Sequence, residues 1–216
     1  LAELGVDPAR TAVLHNGTDP YVHVDPGKSP TPMVAVVGRL VPHKQVEHAV
    51  DAVLALRARH PDLRLHVVGS GWWEAELHEY VAAHGAGASV VFEGHVDEEH
   101  KHEVYERAWV LALPSLKEGW GLVIGEAGMH TTPTLAYRSA GGTQESVVDG
   151  HSGVLVDDQA SFTATLGRLL DDAALREQLG RGALEQSRRF TWTRAQQSFA
   201  DVLVAVLSGR RVAGSD

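Results

Sequence analysis

The feature that most constrains this chain is an alternation. Short apolar runs, most of them rich in Val and Leu and bounded by Gly or Pro, take turns with segments whose apolar residues recur three or four positions apart. The runs read as strands over Ala12 to His15, Met33 to Gly38, Leu63 to Gly69, Ser89 to Glu93, Val110 to Pro114, Thr134 to Tyr137 and Gly153 to Val156. The periodic segments predict helices near Val46 to Arg59, Trp73 to His84, Glu98 to Arg107 and Leu122 to Met129. Repeated in this way, the pattern specifies an α/β fold, a doubly wound parallel sheet with helices on both faces. The Pro- and Gly-rich region from Asp19 to Pro32 reads as a linker or long loop. After Asp157 only helices are expected, the last from Trp192 to Leu207.

Composition narrows the function classes. A chain of 216 residues, 44% hydrophobic and 22% charged, can bury one sizeable core with appended helices. Its formal net charge of -9 argues against a nucleic-acid or anionic-membrane surface, which needs a basic stripe. Any phosphate must therefore be held locally. The absence of cysteine excludes disulfides, thiolate zinc sites and cysteine nucleophiles, and it is compatible with a reducing compartment; a cytoplasmic location is the expectation. No apolar run approaches the roughly 18 residues of a membrane span, and no signal-peptide pattern opens the chain. It starts at Leu1, not Met, so a piece of a longer protein is expected, with a targeting segment lost if one existed.

In an open parallel sheet, ligands collect at the carboxyl ends of the strands. Three such ends are chemically unusual here. In VVGRLVPHKQ, a strand runs into Gly38, then Arg39 and Lys44, two cations on one loop that can converge on a diphosphate or can simply be solvated. In LHVVGSGWWE, Glu74 stands where a dinucleotide fingerprint needs its third glycine, so the loop Gly69-Ser70-Gly71 reads as a tight turn or as a wall of the cleft. In LPSLKEGWGLVIGEAG, Glu118 lies in a loop and Glu126 falls one to two turns into a helix that starts near Gly121. Eight helical residues span roughly 12 Å and rotate by about 80°. The two carboxylates are thus expected not to meet, and they do not suit a glycosidase pair. Gly119 and Gly121 leave amides uncovered at a helix N-terminus, a favourable place for phosphate. The plainer alternative is a solvated loop acid and a carboxylate favoured by the helix's positive end.

Taken in order, VVGRLVPHK, VGSG, FEGHV, PSLKEGWGLVIGEAG and PTLAYRSAGGTQESVVDGHSGVLV resemble the donor-binding half of the retaining, two-domain GT-B glycosyltransferases of family four, the group 1 transferases. The likeness runs from about Val13 to Val156; HNGTD resembles the family's segment after the interdomain linker, and FTWTRAQQSFADVL its closing helix. The resemblance implies a Rossmann-like single domain, one half of a GT-B fold. Its parts would be residues 1–32, linker and first strand after a missing N-terminal acceptor domain; 33–190, the nucleotide-sugar-binding domain; and 191–216, the closing helix and tail. It also implies roles. Arg39 and Lys44 match the cations that hold the donor diphosphate, Glu126 the acid on the ribose hydroxyls, and Glu118 the acid facing the transferred sugar. Amides around Gly119, Gly121 and Leu122 would add to the phosphate site, while Gly141, Gly142 and Glu145 match a structural part of the cleft. No metal or other cofactor is expected. The partners implied are a nucleotide-diphosphate sugar and the missing acceptor domain, through which any peripheral membrane association would run.

The sequence also departs from the family pattern. Gln45 and Thr131 replace usual glycines, Gly125 stands where a larger residue is common, and Trp120 replaces Phe. Competing readings are a nucleotide-sugar epimerase or phosphorylase-like enzyme of the same architecture, and a non-catalytic nucleotide-sugar-binding module. Among the remaining features, His78, His95, His100 and His102 lack the His-Glu-x-x-His spacing and read as scattered surface histidines. Asn16-Gly17-Thr18 reads as a turn, and Trp72 and Trp73 as one buried and one half-exposed residue.

Overall fold

The computed structural model describes residues 5, 7, 11–19, 21 and 27–210. Among them six strands form one parallel sheet: β1 (Met33–Val37), β2 (Arg64–Val68), β3 (Val90–Gly94), β4 (Val110–Leu113), β5 (Thr134–Tyr137) and β6 (Gly153–Val156), in the order β3-β2-β1-β4-β5-β6. Every ladder is parallel, with Val34 of β1 opposite Leu65 of β2 and Val110 of β4. The helices are α1 (Val46–Leu56), α2 (Glu74–Ala83), α3 (Glu98–Arg107), α4 (Leu122–Met129), the short α5 (Thr143–Ser146), α6 (Gln159–Asp171), α7 (Ala173–Ser187) and α8 (Trp192–Leu207).

A strand covered on both faces must be apolar throughout, and β1 is buried at every position. Its alternate residues feed different cores. Val34 and Val36 join Val50 and Val53 of α1, Leu77 of α2 and Phe162 and Leu166 of α6. Met33, Ala35 and Val37 join Val104 and Tyr105 of α3 and Ala127 of α4 on the other face. Four helices begin with a side-chain cap: Asp97 accepts from His100 N, Asp158 from Ser161 N, Asp172 from Leu175 N and Thr191 from Arg194 N. α1 and α4, which follow β1 and β4, begin without one.

The expectation of a strand over Ala12 to His15 is not met. Residues 11–17 form neither strand nor turn, and Val13 and Leu14 are exposed. The reason is pairing. The segment joins neither edge strand of the sheet, β3 or β6; its continuation lies along the start of α8, where Thr18 bridges Thr191 and its N–H donates to the Phe190 carbonyl. Asn16-Gly17-Thr18 is therefore not a turn either. Gly17 lies so close to the Trp192 backbone that a Cβ would sit 2.1 Å from its nitrogen. Of the loop from Asp19 to Pro32, residues 20 and 22–26 lie outside the described residues, and the rest is neither helix nor strand. No helix among the described residues is long and apolar enough to cross a membrane.

Candidate functional site

The strand order reverses between β1 and β4, so the loops leaving their carboxyl ends diverge and open a crevice. The loop after β1 carries Arg39 and, in a short 3-10 turn, Lys44; the loop after β4 carries Ser115 and Glu118. Across the crevice Lys44 and Glu118 form an ion pair, their side chains 19% and 8% exposed. Sequence reading gave these two residues separate roles and did not anticipate that they touch. Ser115, wholly buried, donates its hydroxyl to the same carboxylate oxygen at 2.6 Å. It was overlooked, although its position three residues before Glu118 is a spacing at which a serine readily reaches an acid. A second tie joins the loops: Leu116 N–H donates to the His43 carbonyl at 2.7 Å.

Arg39, Lys44 and Ser115 line one narrow hollow with Gly38, Leu113 and Pro114. Arg39 is exposed and makes no hydrogen bond or ion pair among the described residues. Nearby, α4 begins at Gly121, which is left-handed with φ 77. That conformation suits glycine, and no side chain covers the first amides of the helix. Gly119 and Leu122 are exposed beside it. The arrangement therefore offers cations and unclaimed N–H donors on one side and a held carboxylate on the other.

Glu126 lies apart from this hollow. Its carboxylate accepts from the buried Tyr105 hydroxyl at 2.7 Å and from Lys101 at 3.3 Å, both on α3. Burial first, then the Glu126 charge and hydrogen bond, push the Tyr105 phenol well above its ordinary range. Burial would lower Lys101, but its bond to Glu98 and its pairing with Glu126 prevail and raise it. As expected from helix geometry, the two glutamates bind different partners and do not meet. Lys101 and Tyr105 lie four apart on one face of α3, so both reach Glu126.

Neighbouring loops are wedged against the site. The carbonyl of Glu118 accepts from Gly142 N–H, while its own N–H donates to the Ala140 carbonyl. A Cβ on Gly142 would sit 1.9 Å from the Gly119 carbonyl oxygen, so Gly141 and Gly142 serve the cleft by close backbone approach. Glu145 is exposed and lies 3.6 Å from His15. The Gly69 to Gly71 loop is likewise a packing device, because a Cβ on Gly71 would sit 2.1 Å from the Leu40 carbonyl. Trp73 packs on the core and donates to Glu47 at 2.6 Å, but Trp72 is 70% exposed, more than expected, since its position past Gly71 leaves it without a covering element.

The histidines are not all superficial. His78 and His95 are exposed, whereas His100 binds Glu93 and His102 lies 2.7 Å from the buried His130. Contacts from two other elements draw them inward. No group of three His, Asp or Glu side chains among the described residues is placed to hold a metal ion.

The family model of the glycosyl transferases group 1 matches residues 23–186. The chain belongs to this family. A D-inositol 3-phosphate glycosyltransferase from Corynebacterium diphtheriae is 36% identical over 201 residues, covering 86% of this chain and 47% of the relative. The chain thus spans about half the length of the curated relatives it matches. Among solved structures, the Anabaena protein Alr3699/HepE in complex with UDP-glucose superposes with a TM-score of 0.74 at 24% identity, over 82% of this chain and 49% of that one. The C-terminal domain of a glycosyl transferase group 1 family protein, LpcC from Francisella tularensis, gives 0.65 at 23% identity, over 76% and 87%. At these identities the group 1 structures speak for the fold, a Rossmann-like half of a GT-B architecture.

Proposed function

We propose that this chain is the donor-binding domain of a retaining glycosyltransferase, holding a nucleotide-diphosphate sugar whose glycosyl group passes to an acceptor. The observation that carries the reading is the meeting of Lys44 and Glu118 across the crevice between β1 and β4, beside the open start of α4. Lys44 and Arg39 hold the diphosphate with the amides around Gly119, Gly121 and Leu122, Glu118 faces the sugar, and Glu126 accepts from the ribose hydroxyls. Breaking the glycosidic bond leaves negative charge on the diphosphate and positive character on the sugar. Cations and helix amides fixed at that position stabilise the developing charge more than they stabilise the bound donor, which lowers the barrier.

UDP-sugars are the first donors to try, given the UDP-glucose bound by the Anabaena neighbour. For the whole protein, the relatives' name makes a cyclitol phosphate the first acceptor. The acceptor side belongs to the other half, so the isolated domain binds donor without turnover. The exposed apolar residues of α8, Phe199, Leu203, Val206 and Leu207, recur at helical spacing and form a stripe suited to docking on that half.

Calorimetry with UDP and UDP-glucose tests the site. Lys44→Ala should weaken both by about tenfold or more, as a partly desolvated charge-assisted contact is worth about 1.5 to 3 kcal/mol. Equal affinities in wild type and variant would remove the diphosphate assignment. Glu126→Ala should weaken UDP and leave inorganic pyrophosphate unchanged. A common loss for both ligands would favour a second reading, in which Glu126 is a strut between α3 and α4 through Tyr105 and Lys101.

A further inference from the structure

At the amino end of the sheet, opposite the crevice, lies a cavity of about 390 Å3. It falls within the size of small-molecule sites. Lys28 and Ser29 enter it from the segment before β1, Trp109 from the start of β4, and Arg176 and Arg181 from α7. Three basic side chains and one acid, Glu177, line it, in a chain whose net charge is -9. Such a local reversal of sign focuses an attractive field on anions.

Two of the three, Arg176 and Lys28, are held in place. Arg176 lies over the Trp109 ring at 4.0 Å and donates to the carbonyls of Leu169 and Leu170 that end α6. The Trp109 indole N–H donates to the Ser29 carbonyl at 2.8 Å. Lys28 turns its ammonium inward onto the His130 carbonyl and the Thr132 hydroxyl. Arg181 is exposed and makes no hydrogen bond or ion pair among the described residues. Ala173 puts the first turn of α7 at the rim, but the Asp172 cap offsets the positive end of that helix, so the guanidinium groups and Lys28 supply the positive charge.

We propose that this cavity binds the phosphate group of a small ligand, at a site separate from the donor crevice. Guanidinium groups suit the tetrahedral, multiply charged oxyanion better than a carboxylate. Burial pulls Lys28 down to about 7 against the opposing charge of Glu106, so an arriving anion restores its proton.

Inorganic phosphate is the probe, titrated at constant ionic strength while the Trp109 indole N–H resonance is followed by NMR. Saturable movement of that resonance is expected in wild type and, to the same degree, in Lys44→Ala, which blunts the crevice. Arg181→Ala, a change at an exposed position, should weaken phosphate about fivefold, and Lys28→Met should weaken it further. The proposal is overturned by a shift that chloride reproduces, by an Arg181→Ala titration that superposes on wild type, or by acetate binding as tightly as phosphate.

Discussion

Thr131 and Gln45 are the only residues other than glycine with positive φ among those described, at 55 and 47. Both stand where the resemblance leads one to expect glycine, so the departures read from sequence coincide with the two strained backbone positions. A β-branched residue tolerates this region poorly, at about 1 to 2 kcal/mol. Glycine would relieve that cost but lose about 0.4 to 1 kcal/mol through its freer unfolded chain. Thr131→Gly should therefore gain about 0.5 to 1 kcal/mol and raise Tm by about 1 to 4 °C in calorimetric melting. A lower Tm would show that Thr131 is held without strain.

Between elements, Glu93 binds both β2 and α3. It lies at the irregularity in the β2–β3 ladder, 2.7 Å from His66 and 3.3 Å from His100. Burial would raise its carboxyl, but hydrogen bonds from the two imidazoles hold it below 4.5; the Glu93 bond in turn raises His100 above 6.5. Stability from the depressed Glu93 is present above pH 4.5 and is lost as pH falls through its folded value. That from the raised His100 is full below pH 6.5 and is lost as pH rises through its folded value. Between pH 6.5 and 9 the wild type should thus lose about 1 to 3 °C of Tm that His100→Gln does not, a small amount because the His100 side chain is 44% exposed. Parallel slopes for the two proteins would exclude the pair as a source of stability.

The strands β1 to β6 and the helices α1 to α4 and α8 were legible because each is marked locally, by apolar run length, by Gly or Pro at the boundary, or by helical spacing. Ala12 to His15 carries the same mark and is no strand, since an apolar run does not reveal whether a sheet edge is free to receive it. The site was legible as a set of loops and not as a set of contacts. Lys44 and Glu118 lie 74 residues apart, and only the order of the strands brings them together. Tyr105 and Glu126 met through the packing of α3 on α4, which no motif records.

For the whole molecule, α8 is the least finished surface. It buries none of its residues, and Leu207 is 86% exposed. In the isolated chain this stripe should promote self-association, and Leu203→Asp should reduce it in sedimentation experiments. If the stripe docks on another half as proposed, the same change in a longer protein should lower Tm. A full-length protein indifferent to Leu203→Asp would place the stripe outside that contact.

The ion pair across the crevice also sets terms for entry. If the proposed site holds, an incoming phosphate would have to win Lys44 from Glu118, leaving a nearly buried acid without its counter-charge. Stray orthophosphate therefore gains little. On the proposed reading, a molecule that brings an anion to the lysine and hydroxyls to the carboxylate would satisfy both groups at once, and the loss of its sugar would let the glutamate reclaim the lysine and help release the nucleotide.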